Sequence, residues 1–87
     1  MSGPVPPREG SVRASILATL PVDGSAVERD VLIHRVLRGR LQGGYPLILT
    51  ALREQVVVVR EVRPDGSVWF RRPAVWVGRE VRVRRAG

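Results

Sequence analysis

The side chains with the most distinctive chemistry in this sequence are its arginines. The 87 residues hold fifteen Arg and no Lys against eight carboxylates, so the formal net charge is +7. Guanidinium groups form paired hydrogen bonds with phosphate and carboxylate oxygens. Residues 1–55 carry seven Arg and five acids, whereas residues 56–87 carry eight Arg and three acids. We therefore expect a polyanionic partner that contacts mainly the second part of the chain.

The spacing of the C-terminal arginines predicts a basic strand face. Side chains alternate along a β-strand, so Arg82 and Arg84 are expected to point away from Val81 and Val83. One face can then pack while the other contacts phosphate. A similar basic bias is found earlier, at Arg60, Arg63, Arg71 and Arg72. The alternative is a solvated strand face that only keeps a sheet edge soluble.

Aromatic side chains lie among these arginines, at Trp69, Phe70 and Trp76. Aromatic and basic residues interleaved on a sheet are typical of surfaces that stack single-stranded nucleic acid. Alternation places Trp69 on the side of Arg71 and Phe70 on the side of Val68. We expect Phe70 to fill the core and Trp69 to cover it partly.

The sequence contains no catalytic or metal-binding constellation. His34 is the only histidine and there is no cysteine, so a zinc site has too few ligands. Glu28 and Asp30 lie two residues apart on a predicted helix and face different directions. Gly43-Gly44 lacks the frame and the lysine of a phosphate-binding loop. We expect no enzyme activity, no cofactor and no metal.

Length and hydropathy narrow the class of protein further. A chain of 87 residues has room for one domain. The longest apolar runs, among them Val56 to Val59, have only four residues, far fewer than the roughly 18–20 that span a bilayer. The first residues show no apolar segment of a secretory signal. We expect a cytoplasmic protein with no membrane partner.

Three helices are predicted in the first two thirds of the chain. An apolar stripe predicts the first helix over about 11–20. Ser25 and Glu28 have the spacing of a capping box, which predicts that the second helix begins at Ser25. This helix is expected to end near Gly39, a suitable C-cap. A third, short helix is predicted over about 46–54, with a proline in its first position.

A period of two begins at Val56 and predicts a β-hairpin with its turn at Asp65-Gly66. Residues 73–87 are expected to add one or two short strands or to form a basic C-terminal arm. Residues 1–10, with three Pro and two Gly, are predicted to be a disordered arm. The expected fold class is α+β, a three-helix core followed by a β-hairpin.

This order of elements resembles the winged-helix branch of the helix-turn-helix proteins over about residues 11–72. The resemblance is carried by the stretch Tyr45-Pro46-Leu47-Ile48-Leu49-Thr50-Ala51-Leu52-Arg53-Glu54, which looks like the third helix that precedes a wing. In that family the third helix lies in the major groove and the hairpin contacts flanking backbone or minor groove. The resemblance implies that Tyr45, Thr50 and Arg53 face the groove. It assigns to the wing Arg60, Arg63, Arg71 and Arg72.

The sequence therefore predicts a small basic domain that binds double-stranded DNA. Its expected role is that of a transcriptional regulator, or an accessory factor of DNA metabolism, in a bacterium or its phage. Contacts from arginine to phosphate would supply most of the affinity. Because the third helix offers few polar side chains, we expect only a modest sequence preference.

Two alternatives stay open, and each has a structural discriminator. Winged helices also serve as protein-docking or dimerising modules, which leaves a homodimer open. This alternative is favoured if Ile48 and Leu49 are exposed. The second alternative is binding of RNA or single-stranded DNA through the sheet. It is favoured if Trp69 and Trp76 share an open face with the arginines.

Overall fold

A computed structural model describes residues 5–8, 11–38, 44–54 and 58–81. Its elements, in chain order, are α1 (Val12–Thr19), β1 (Val27–Glu28), α2 (Arg29–Arg38), α3 (Tyr45–Glu54), β2 (Val59–Val62), β3 (Val68–Arg71) and a 3-10 helix (Ala74–Trp76). The three helices pack on one another, and α2 packs against an antiparallel sheet. The predicted α+β class, with three helices and a hairpin, is confirmed.

The starts of α1 and α3 agree with the sequence prediction. Ser11 precedes α1, and its Oγ accepts a hydrogen bond from the amide of Ala14 at 3.1 Å. This satisfies one of the amides that a helix start leaves without a partner. The third helix begins at Tyr45, one residue before the predicted start, and Pro46 occupies its first turn, where a missing amide costs nothing.

The predicted capping role of Ser25 is wrong. Ser25 donates from its backbone amide (2.9 Å) and its Oγ (2.6 Å) to Oδ1 of Asp23, closing a turn in which Gly24 has φ +88°. The second helix begins only at Arg29, and the carboxylate of Glu28 accepts from two amides of its first turn, at 3.0 and 3.3 Å. A carboxylate two residues upstream competes for the serine, so the local turn forms instead of the cap.

The hairpin turn lies at Asp65-Gly66, as predicted. Ser67 donates from its amide (2.9 Å) and its Oγ (2.6 Å) to Oδ1 of Asp65, and Gly66 has φ +87°. The amide of Arg63 also donates to the Ser67 carbonyl at 2.9 Å, closing the loop. The same Asp-Gly-Ser chemistry therefore forms this turn and the one before β1.

The sheet has the order β1-β3-β2, with both strand pairs antiparallel. Phe70 lies opposite Val27 on one side and Arg60 on the other, while Trp69 lies opposite Glu61. Residues directly opposite each other point to the same face of a sheet. The inner face, towards the helices, thus holds Phe70 and Arg60, and the outer face holds Trp69 and Glu61. Strand β1 has only two residues, too few for any periodicity to predict it.

The core lies between the three helices and the inner face. Phe70 is 3% exposed, which confirms its predicted place in the core. The largest side chains exposed by no more than 1% are Ile16, Leu17, Leu20, Leu32, Val36 and Ile48. Each such side chain contributes about 1.5–3 kcal/mol relative to exposure, and together they hold α1, α2 and α3 in place.

The chain after β3 differs from the prediction of further strands. Residues 75–77 lie in and just after the 3-10 helix, and in residues 72–81 the structure contains no strand. Trp76 is buried and the amide of Gly78 donates to the Val22 carbonyl at 2.7 Å, so this segment packs on the body of the domain instead of extending the sheet. The last strand was expected over about 80–84; residues 80 and 81 are not in a strand, and the remainder lies outside the described residues. The helix end at Gly39 and most of the predicted 1–10 arm also lie outside them.

Candidate nucleic-acid interface

A groove of about 230 Å³ lies between the start of α2, the end of α3 and the inner face of the hairpin. Three arginines line it, Arg29 from α2, Arg53 from α3 and Arg60 from β2. The remaining lining is apolar and consists of Leu49, Leu52, Val68 and Phe70. We call this site the arginine groove. No carboxylate is among the described residues that line it.

The three elements bring these arginines together for separate reasons. Arg60 lies opposite Phe70, so it shares the inner face, but β2 is an edge strand and the Arg60 side chain is exposed at the groove. Arg53 lies one turn after Leu49 on α3. Arg29 is the first residue of α2, held in place by β1 directly before it. The site thus depends on helix packing and strand register together.

The positive charge of the arginine groove is only weakly compensated. Nε of Arg29 lies 3.4 Å from Oδ1 of Asp30. Both side chains are exposed and the separation is long for an ion pair, so this contact is weak. In the described part of the chain Arg53 and Arg60 form no ion pair, and both are exposed. An anion entering the groove therefore meets two guanidinium groups, those of Arg53 and Arg60, that no carboxylate of the described residues pairs with.

The residues of α3 that were predicted to face the DNA major groove lie on the exposed side of the helix. Tyr45 is 48% exposed, and Thr50 and Arg53 are exposed as well. The Oγ1 of Thr50 donates to the Pro46 carbonyl at 2.9 Å, so its hydroxyl proton is already engaged and its oxygen remains available as an acceptor. The structure therefore places all three residues where a ligand can reach them.

On the outer face, two predicted wing arginines converge on one carboxylate. Nε of Arg63 lies 2.8 Å from Oε2 of Glu61, and Nη1 of Arg71 lies 3.2 Å from Oε1. The hydrogen bond from Arg63 and the charges of both arginines lower the pKa of Glu61 below its ordinary value. The Arg63 guanidinium also stacks 3.6 Å from the ring centroid of Trp69. These two arginines are therefore engaged within the protein.

Arg72 is buried, so its expected place on the exposed surface of the wing is wrong. It is 3% exposed and donates from Nε to the Leu20 carbonyl (3.2 Å) and from Nη1 to the carbonyls of Trp76 (2.9 Å) and Arg79 (2.6 Å). Burial lowers the pKa of its guanidinium. Strand alternation from Phe70 points Arg72 inward, a signal that the composition argument overlooked.

Sequence reasoning missed Arg29, because the second helix was predicted to begin four residues earlier. Placed in the first turn of a longer helix, Arg29 had no expected neighbour on the hairpin. Only the register of β1 against β3 brings it to the groove, and that pairing joins residues more than 40 positions apart. Arg82 and Arg84, predicted as phosphate contacts, lie outside the described residues.

The structural conditions named for the two alternatives are not met. Ile48 is fully buried and Leu49 is partly buried, so the apolar side of α3 belongs to the core. Trp76 is 9% exposed and does not share an open face with Trp69. Tyr45 and Leu47, at the start of α3, remain about half exposed.

The described residues lack two further kinds of site. They contain no group of three or more His, Cys, Asp or Glu side chains that could hold a metal ion. They also contain no helix with the length and hydropathy needed to cross a bilayer.

Comparison with known protein families, with curated proteins and with solved structures found no match to this chain.

Proposed function

We propose that this protein is a winged-helix domain that binds double-stranded DNA and acts as a regulator or accessory factor on it. The order α1, β1, α2, α3, β2, β3 supports the winged-helix assignment, because a hairpin follows the third helix and pairs with a short strand between the first two. In that arrangement the third helix enters the major groove and the hairpin lies beside it.

The observation that carries the proposal is the convergence of Arg29, Arg53 and Arg60 beside the exposed side of α3. Three elements each contribute one guanidinium to a site that no carboxylate of the described residues lines. Helix α3 has ten residues and is about 15 Å long, and the major groove is about 12 Å wide and admits a helix. With α3 in that groove, the arginines of α2 and β2 are placed to contact the adjacent phosphates.

The exposed residues of α3 support positioning more than base reading. Tyr45, Thr50 and Arg53 offer few hydrogen-bonding groups. Each good contact between a side chain and a base edge discriminates against the wrong base by about 1–3 kcal/mol. Phosphate contacts from the arginine groove would supply most of the affinity. Three such contacts on duplex DNA correspond to a slope of about −3 in a plot of log K against log salt concentration. We expect strong salt dependence and modest sequence preference.

The test is a titration of a labelled duplex, a single strand and an RNA hairpin at four salt concentrations, followed by fluorescence anisotropy. We expect the duplex to bind most tightly, with a slope near −3 or steeper. A slope near zero, or equal affinity for single strands, would contradict the proposal. In the first case the protein-docking alternative becomes the better reading, and in the second the single-strand alternative does.

A pair of double variants locates the binding face. Arg53→Glu with Arg60→Glu removes two groove cations and adds two like charges to the phosphate path, so we expect about a 100-fold loss of duplex affinity. The matched control, Arg35→Glu with Arg38→Glu, makes the same change in net charge on the opposite, exposed side of α2. A loss in the control as large as in the groove variant would show that net charge, and not the groove, determines binding.

A further inference from the structure

The proposed DNA contact leaves the floor of the arginine groove unused. Leu49 and Val68 are partly buried side chains that pack against the core and also line the groove. A backbone phosphate of a duplex is a hydrated anion that extended guanidinium groups reach at the rim. It has no apolar body that could cover these side chains.

The charged rim, formed by the three arginines, and the apolar floor, which includes Leu49 and Val68, together fit a different kind of ligand. Small-molecule sites are concave and mostly apolar, with a few polar groups that fix the orientation of the ligand. The arginine groove has four apolar lining residues and three guanidinium groups. Its volume of about 230 Å³ lies below the roughly 300–1,000 Å³ of sites for drug-sized molecules, which limits the ligand to one ring or a short branched chain.

We propose that the arginine groove binds a small organic anion, a carboxylate or phosphate carried on a single apolar ring or branched chain. The apolar part lies on Leu49 and Val68, and the oxyanion accepts paired hydrogen bonds from Arg53 and Arg60. These two arginines are among the three assigned to DNA phosphates above. The anion therefore competes with duplex DNA, a consequence that rests on the proposed function, whereas binding of the anion does not.

Binding is tested first without DNA, on the full chain, by NMR titration. The measured quantity is the change in the chemical shifts of the backbone amides in two-dimensional ¹H–¹⁵N spectra. The probes are phenyl phosphate, inorganic phosphate and phenol, which separate the contributions of the ring and the oxyanion. We expect phenyl phosphate to bind about tenfold more tightly than inorganic phosphate, the gain from covering about 50 Å² of apolar surface. Phenol is expected to bind more weakly than either. Equal affinity for the two phosphates, or shifts centred away from the groove, would overturn the proposal.

Variants assign the two parts of the ligand to the two parts of the site. Arg53→Gln with Arg60→Gln should weaken phenyl phosphate at least tenfold, while the matched pair Arg35→Gln with Arg38→Gln should change it less than about twofold. Val68→Thr keeps the branched shape of the side chain and replaces one methyl group of the floor with a hydroxyl. It should weaken phenyl phosphate about threefold and leave inorganic phosphate unchanged. Equal effects of Val68→Thr on both probes would contradict the assignment of the floor.

Competition is tested last, by adding phenyl phosphate to the labelled duplex complex at constant ionic strength. We expect displacement at the concentration that saturates the groove, with no displacement by phenol. If phenyl phosphate binds the groove but the duplex does not bind at all, the anion site stands and the DNA function fails. If the duplex binds and phenyl phosphate does not, the anion site fails alone. Simultaneous binding of both would overturn the competition.

Discussion

The two faces of the hairpin carry arginines in opposite electrostatic situations. On the outer face, Arg63 and Arg71 both contact the Glu61 carboxylate, which offsets one of their two positive charges within the protein. On the inner face, Arg60 joins two arginines from the helices around a groove that no described carboxylate lines. The faces differ because register places Glu61 opposite Trp69 and leaves Arg60 opposite Phe70. A basic sequence segment therefore does not by itself define a basic surface.

The adjacent residues Arg71 and Arg72, at the end of β3, also differ in whether their charge is exposed. Arg71 points outward to Glu61, whereas Arg72 is buried beneath the chain that follows. Arg72 donates to three carbonyls, from the end of α1 and from the segment around the 3-10 helix. Its charge is used to satisfy backbone oxygens, so it contributes to stability and not to the exposed basic surface.

The largest effect is expected from removing Arg72. Replacing it by Ala leaves three buried or partly buried carbonyls without their donor and opens a void, so we expect a loss of about 3 kcal/mol in the free energy of unfolding. Arg71→Ala, its matched neighbour, should cost less than about 1 kcal/mol because it loses only an exposed ion pair. Urea unfolding followed by tryptophan fluorescence measures both. Equal losses of stability in the two variants would contradict the assignment of Arg72 to the interior and Arg71 to the surface.

The hairpin and α3 could be predicted from the sequence because local chemistry determines them. An Asp-Gly pair at a turn, a proline in a first helical turn and a period of two act within a few residues. Strand β1 and the start of α2 could not be predicted in the same way. Glu28 is placed by its pairing with Trp69, 41 positions later, and no local pattern reports that contact.

The candidate site was only partly predictable for the same reason. Arg53 and Arg60 were expected from composition and from the family resemblance, and the structure places both at one groove. Arg29 could not be expected without the position of β1, and the neutralising role of Glu61 depends on the side chains of two strands. Sequence patterns indicate which residues are charged, but packing decides which charges remain open to a ligand.

The second prediction compares the two faces directly in duplex binding. Arg53→Gln with Arg60→Gln removes two open cations from the arginine groove, so we expect at least a tenfold loss of affinity and a decrease of about 2 in the magnitude of the salt slope. Arg63→Gln with Arg71→Gln removes the same formal charge from the outer face. Because Glu61 already offsets one of these two charges and holds both guanidinium groups in ion pairs, the expected loss is below about threefold. Anisotropy titrations at the same salt concentration measure the duplex affinity of both double variants. A larger loss in the outer-face variant than in the groove variant would contradict the comparison.

A third, smaller effect is expected when the outer face loses its carboxylate. Glu61→Gln keeps the size of the side chain and removes the charge that holds Arg63 and Arg71. The two guanidinium groups then face solvent and become available to flanking phosphate, so duplex affinity should rise about twofold to threefold at low salt. A fall in affinity, with the fold intact by circular dichroism, would mean that the ordered outer face itself contacts DNA.

The smallest effect concerns pH, and it is confined to acid conditions. Hydrogen bonds from Ser25 and Ser67 lower the pKa values of Asp23 and Asp65, and Arg63 lowers that of Glu61. A carboxylate with a lower pKa in the folded state binds fewer protons than it does unfolded, so its stabilisation is complete above the unfolded pKa and declines as the pH falls through the folded one.

With ordinary values of 3.8 for Asp and 4.5 for Glu, the midpoint of urea unfolding should change little through these three groups between pH 7 and 5.5. It should then fall progressively below about pH 4.5. Glu61→Gln removes one of the three carboxylates, so its decline should be shallower than that of the unmodified chain. Parallel curves for the two proteins would show that Glu61 is not stabilised by the outer-face arginines in solution, and the contrast between the faces would then lose its electrostatic basis.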